Sequence, residues 1–164
     1  MLFARISIAV AGLLLAAPLA SASVQPDVDP LRFFQGRTET QGTVKVIFHK
    51  PYNTHSIGEG RIEQDGSLLL VQHVKDDGKP VTQRWWRVRE TSPDRFTGSM
   101  SEAVGPVTID KVGERYRFRF KLKDNLTGEQ LLTPLPGGRS ALSYLKVKKM
   151  GLTVATTDGI IRKV

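Results

Sequence analysis

The stretch Arg115-Tyr116-Arg117-Phe118-Arg119-Phe120-Lys121-Leu122-Lys123 alternates without a break between cationic and apolar side chains. A helix turns about 100° per residue and would scatter five cations around its circumference. A strand puts Tyr116, Phe118, Phe120 and Leu122 on one face and every cation on the other. One face therefore seeks a core while the other meets water, the signature of an antiparallel sheet with one buried side.

Working outward, the same period of two recurs on both sides. Upstream, Val81–Glu90 sets Arg84, Trp86 and Val88 on one face and Trp85, Arg87 and Arg89 on the other. Its register leaves open whether Trp86 or Trp85 points inward. Val44, Val46 and Phe48 alternate with Thr43, Lys45 and His49. Ile57–Glu63 is a weaker run, in which Gly58 and Gly60 permit a bend or a close approach. Leu68, Leu70 and Val74 form a further strand, ended by Asp76-Asp77-Gly78-Lys79-Pro80. Phe96, Gly98 and Met100 follow the Ser92-Pro93-Asp94 turn, then Val107 and Ile109. Tail strands are expected over Ser143–Lys149, Leu152–Thr156 and Ile160–Val164, with turns at Gly66, Gly78, Gly113 and Gly159. Asn125–Ser140 contains Pro134, Pro136, Gly137 and Gly138 and reads as a long loop. Asp29-Pro30 carries the cap and first-turn residues of a short helix.

Many short strands at regular turns, with little helix, predict an all-β fold. An antiparallel up-and-down barrel of about eight or more strands is preferred over a sandwich, because closure removes exposed edges. A barrel of that size is either filled by side chains or holds one small ligand.

The chain has 164 residues, a formal charge of +8 and no cysteine. Disulfides, thiolate metal sites and a cysteine nucleophile are thereby excluded. Arg5, the apolar run Ile6–Leu19 and the small-x-small sequence Ala20-Ser21-Ala22 predict a signal peptide over residues 1–22, cleaved after Ala22, and hence a periplasmic or secreted protein. Residues 23–32 are read as a tether and residues 33–164 as the barrel domain.

Phe48, Trp86, Tyr116, Phe118 and Phe120 are candidates to line an apolar pocket, or else to fill the core outright. Arg84 on the Trp86 face would either anchor a ligand carboxylate or phosphate, or stack and hydrogen-bond in a purely structural role. Arg87, Arg89, Arg115, Arg117, Arg119, Lys121 and Lys123 make an outward basic surface. That surface is the polar side of half-buried strands, or a contact for anionic membrane. The aromatics share the apolar face rather than the basic one, so base stacking on nucleic acid is not expected. His49, His55 and His73 lack metal-ligand spacing, Asp76-Asp77 suit a turn, and no nucleophile elbow or phosphate loop occurs. No metal, cofactor or enzymatic activity is expected.

A set of short stretches carries a family resemblance over Leu31 to Val164. They are Phe33-Phe34-Gln35-Gly36, Asp65-Gly66 before Leu68-Leu69-Leu70, Asp76-Asp77-Gly78, and Arg84-Trp85-Trp86-Arg87-Val88. Phe96-Thr97-Gly98 leading to Val104-Gly105 follows, and then Met150-Gly151-Leu152 with the ending Ile160-Ile161-Arg162-Lys163. In these the chain resembles a bacterial envelope family of unknown function with a lipocalin-like barrel, many of whose members are lipoproteins. This chain has no cysteine to carry a lipid, and Gln72, His73 and Lys75 stand where the resemblance leads one to expect acidic and aromatic residues. The resemblance implies a lipocalin-like fold and brings no activity with it. The expected function is that of an exported binding protein for a hydrophobic or amphipathic small molecule or lipid, with Arg84 or Tyr116 as polar latch. The alternative is an envelope interaction or scaffolding protein that uses the basic surface on anionic membrane or a protein partner.

Overall fold

The computed structural model describes residues 29–164; the predicted signal peptide and its cleavage point lie outside the described residues. A short helix, α1 (Pro30–Phe34), precedes ten strands: β1 (Gly36–Val46), β2 (Tyr52–Ile62), β3 (Leu68–Asp76), β4 (Thr82–Ser92), β5 (Arg95–Met100), β6 (Val107–Val112), β7 (Arg115–Lys121), β8 (Leu126–Pro134), β9 (Ser140–Lys149) and β10 (Leu152–Lys163). Each strand pairs antiparallel with its sequence neighbour, and β1 pairs with β10 to close the barrel. Meander order and closure are as expected, and the barrel is lipocalin-like.

Because the strands simply go up and down, every second turn lies at the same end. The end where β1 starts is closed by α1. Asp29 caps that helix, its side chain accepting from the Leu31 N–H at 2.8 Å, and Pro30 fills the first turn where its missing donor costs nothing. Leu31, Phe33 and Phe34 are buried, with the two Phe rings edge-on at 5.0 Å. A Cβ on Gly60 would collide with the Phe34 carbonyl oxygen, so that glycine is what lets the plug seat against β2. Pro30 and Leu31, assigned to the tether from the sequence, are thus part of the barrel's floor. The opposite end, formed by the β1–β2, β3–β4, β5–β6, β7–β8 and β9–β10 turns, is the mouth.

The core follows the predicted alternation. Trp86, Val88, Phe96, Met100, Val107, Ile109, Tyr116, Phe118, Phe120 and Leu132 are all buried. Trp86 points inward and Trp85 is 41% exposed, which settles the register of β4.

A loop and a turn expected from the sequence are corrected. Asn125–Ser140 is not one loop but contains β8, whose inward positions are Gly128, Gln130 and Leu132. Gly128 carries no side chain because the Phe120 ring occupies that space, and Gln130 donates from Nε2 to Ser143 Oγ at 2.8 Å. A glycine and a glutamine on the inner face hide the apolar alternation. Gly159 is likewise no turn. It lies within the continuous strand β10, opposite Gly42 of β1 and Ser143 of β9.

Candidate functional site

A cavity of about 390 Å³ runs inside the barrel from α1 to the mouth. Its floor is Leu31 and Phe34. One wall is apolar, with Leu68, Leu70, Trp86, Val88, Ile109 and Phe118. The other wall, from β1, β2, β9 and β10, is built largely of small hydroxyl side chains: Thr40, Thr54, Ser56, Ser143 and Thr157, with Val44 and Leu145 among them. Small residues on that side leave the space which large residues fill on the other.

The polar groups concentrate toward the mouth. Arg84, near the start of β4, faces inward, and its Nε lies 2.5 Å from Oε2 of Glu102 in the β5–β6 turn. The two charges are close, yet among the described residues the buried Nε has no aligned hydrogen-bond acceptor. The attraction is that of a close contact ion pair in which the N–H does not point at the carboxylate oxygen. Gln72, directly opposite Arg84 on β3, accepts from Trp86 Nε1 at 2.9 Å, fixing the indole as part of the wall. Trp86 also meets the rings of Phe118 and Phe120 edge-on at 6.2 and 5.9 Å. On the lip, Lys79 Nζ donates to the Tyr52 hydroxyl at 3.0 Å and to Asp76 Oδ2 at 3.2 Å. The Tyr52 hydroxyl first, and the Asp76 carboxylate second, raise the Lys79 ammonium above the usual lysine range.

Of the residues singled out from sequence, the structure brings Arg84, Trp86 and Phe118 together around the cavity. Tyr116 and Phe120 are buried but face the packed side, Tyr116 against Phe96 at 6.1 Å and Phe120 against Gly128. Neither lines the cavity, so Tyr116 is not placed to latch a ligand there. Phe48 is corrected outright: it is 100% exposed with φ 61°, because β1 ends at Val46 and the chain turns before the alternation reaches residue 48. On the outer face, Arg87, Arg89, Arg115, Arg119, Lys121 and Lys123 are exposed and Arg117 is half-buried. Arg119 and Arg117 both approach Asp110 Oδ2, at 2.6 and 3.9 Å, so part of that basic surface is neutralised from within. Glu102, Asp76, Tyr52 and Gln72 are not among the site residues singled out from the sequence. The acidic pair Asp76-Asp77 was visible only as turn chemistry, and nothing local marks Glu102 as the partner of Arg84. Among the described residues, no group of three or more His, Cys, Asp or Glu side chains is placed to hold a metal.

A closed antiparallel meander around an internal cavity, plugged at one end and open at the other, defines the lipocalin-like class of barrels. Residues 8–133 match the family described as "Protein of unknown function (DUF3833)", and the chain belongs to that family. Among solved structures, the barrel is similar to an S-type phycobiliprotein lyase from Guillardia theta. The TM-score is 0.66 at 7% identity, over 82% of this chain and 90% of that one. It is also similar to a protein of unknown function from the DUF3598 family of Nostoc punctiforme. There the TM-score is 0.55 at 9% identity, over 85% of this chain and 51% of that longer one. No curated protein matches the sequence.

Proposed function

We propose that the protein is an exported carrier for an amphipathic small molecule with an acidic head group. The apolar part lies against Trp86, Phe118, Leu68 and Leu70, and the head group meets Arg84 near the mouth. The observation that supports this most is the buried Arg84 Nε, unaligned with any acceptor, at the top of an open cavity of about 390 Å³. That volume falls within the range typical of small-molecule sites. Glu102 stands beside the guanidinium, where a ligand acid would approach. It sits on a turn and is 45% exposed, so an entering carboxylate, sulfonate or phosphate displaces it without disturbing the strands. Apolar burial supplies the affinity and the Arg84 exchange supplies the orientation. The fold's use in a protein named as a phycobiliprotein lyase is compatible with a small-molecule role. Binding without a chemical step is the reading favoured here, and export rests on Arg5, Ile6–Leu19 and Ala20-Ser21-Ala22.

The test uses anilinonaphthalene sulfonate, an apolar anion, as a fluorescent probe, with native mass spectrometry of gently purified protein for a retained ligand. Arg84→Met should weaken the probe at least tenfold and Glu102→Gln should tighten it several-fold, with both variants folded. Equal affinity in wild type and Arg84→Met, together with no retained mass in repeated preparations, overturns the proposal. Intact mass of the exported protein should place its first residue at Ser23.

A further inference from the structure

The mouth differs from the floor in a way that the cavity does not explain. Phe48 at the tip of the β1–β2 turn is 100% exposed, and Met150 and Leu152 at the β9–β10 turn are 89% and 74% exposed. The two turns are neighbours, tied by the Ile47 N–H donating to the Val154 carbonyl at 3.0 Å. Phe48 and Met150 both have positive φ, 61° and 49°, the left-handed region that bulky side chains disfavour. A turn needing only that backbone would be served better by glycine or asparagine. Here large apolar side chains are held there, projecting into water. Val81, on the β3–β4 turn of the same end, is 59% exposed.

Lysines flank these tips. Lys148 and Lys149 precede Met150, Lys50 follows Phe48, and Lys123 lies on the β7–β8 turn; among the described residues none of the four has an ion-pair partner. The acids of the mouth turns are mostly engaged: Asp77 accepts from the Asn53 N–H at 3.1 Å and Glu102 faces Arg84. The floor end has Ile62, Val112 and Val164, each less exposed than Phe48, Met150 and Leu152, while its turns carry Glu63, Asp65, Asp94 and Glu114 beside one cation, Arg139.

We propose that the mouth rim docks onto a bilayer containing anionic phospholipid, with Phe48, Met150 and Leu152 entering the headgroup–acyl boundary and Lys50, Lys123, Lys148 and Lys149 meeting lipid phosphates. Apolar tips among unpaired cations are the pattern of an interfacial anchor. The outward faces of the strands stay in water, since β7 alone presents Arg115, Arg119 and Lys121 there. Docking by this end turns the cavity opening toward the lipid. The inference stands on the rim and does not depend on what the barrel carries.

The absence of cysteine gives a clean readout. Single variants Phe48→Cys, Met150→Cys and, at the floor end, Val112→Cys are labelled in the full chain with an environment-sensitive fluorophore. Each is mixed with vesicles of phosphatidylcholine and phosphatidylglycerol. A several-fold rise with blue shift is expected at 48 and 150 and not at 112. It should be lost in high salt and in a Lys148→Glu, Lys149→Glu background. Attachment through another part of the chain would not favour the two rim labels over the floor label. No response at 48 and 150, an equal response at 112, or equal response to phosphatidylcholine alone overturns the proposal. A rise driven by protein concentration without vesicles would assign the rim to a second copy instead, and also overturns it.

Discussion

The two sides of this barrel solve the problem of an interior differently. From β4 to β7 the inner face carries Trp86, Val88, Phe96, Met100, Ile109, Tyr116, Phe118 and Phe120, which pack into one cluster, with Trp86, Val88, Ile109 and Phe118 at its edge on the cavity. Around β1, β2, β9 and β10 the inner face carries Thr40, Thr54, Ser56, Ser143 and Thr157, and the space in front of them is the cavity. The packed side derives its stability from apolar burial. The hollow side does so less, through Ala141, Ile161 and the partly buried Leu145. It relies on long ladders of backbone pairing, such as the continuous register from Thr38↔Lys163 to Val46↔Ala155, and on contacts made on its outer surface. The contrast means that large apolar side chains and small hydroxyl side chains are assigned to different strands, and the cavity lies between them.

The sharpest way to break this contrast is truncation on each side. Phe96→Ala removes a ring that is 4% exposed and packed on Tyr116, and should cost about 3–5 kcal/mol in urea unfolding, transfer loss plus a new void. Leu145→Ala, on a partly buried residue facing the existing cavity, creates no fresh void and should cost about 1–2 kcal/mol. Equal losses would mean that the hollow wall is packed after all.

Glycines give the next largest effect and separate two kinds of close contact. Gly128→Ala drives a methyl into the Phe120 ring, and Gly60→Ala drives one into the Phe34 carbonyl of the plug. Each should cost about 1–3 kcal/mol. Phe120→Leu should restore much of the first loss, because a side chain can be trimmed. No side-chain change should rescue the second, and the apolar probe should then bind abnormally as the floor shifts. Recovery of Gly60→Ala by a Phe34 substitution would argue against a backbone clash.

The same division decides what could be read from the sequence. β7 was legible at once because its inner residues are aromatic and its outer ones cationic. β4 was legible for the same reason, though its register stayed open until Trp86 proved buried. β2 showed only a weak pattern, since Thr54, Ser56, Gly58 and Gly60 face inward and look no different from solvent-facing residues. β8 was missed because Gly128 and Gln130 occupy its inner face. Binary patterning reports a filled interior; a strand that lines a hollow polar one hides from it. Half of the site fell in the legible part, Arg84, Trp86 and Phe118. The Glu102 partner, the hydroxyl wall and the outward Phe48 depended on where turns fall, which the period of two does not encode.

Filling the hollow side should sharpen the contrast from the other direction. Thr157 lies opposite Val44 and lines the cavity. Thr157→Leu puts apolar volume into that space, so stability should hold within about 1 kcal/mol. Probe affinity should fall at least tenfold, about 1.4 kcal/mol. Loss of both stability and binding would show that the space is needed for folding rather than kept for a ligand.

The smallest effect tests what holds the hollow wall from outside. Glu39 on β1 accepts from the His55 ring at 2.7 Å and from the Gln41 amide at 3.0 Å, and these bonds, the His55 one foremost, hold its carboxyl below the usual glutamate range. A carboxyl whose folded value is depressed adds stability above its unfolded value, near 4.5, and loses it as pH falls through the folded value. Glu39→Gln should therefore lower the unfolding midpoint slightly at neutral pH, and the difference from wild type should shrink toward zero on acidification below pH 4.5. The site is exposed, so salt should shrink it as well. A deficit that stays constant across pH would mean that Glu39 braces the β1–β2 ladder by its shape rather than its charge, and the outer surface would then not be an electrostatic substitute for the packing that this wall lacks.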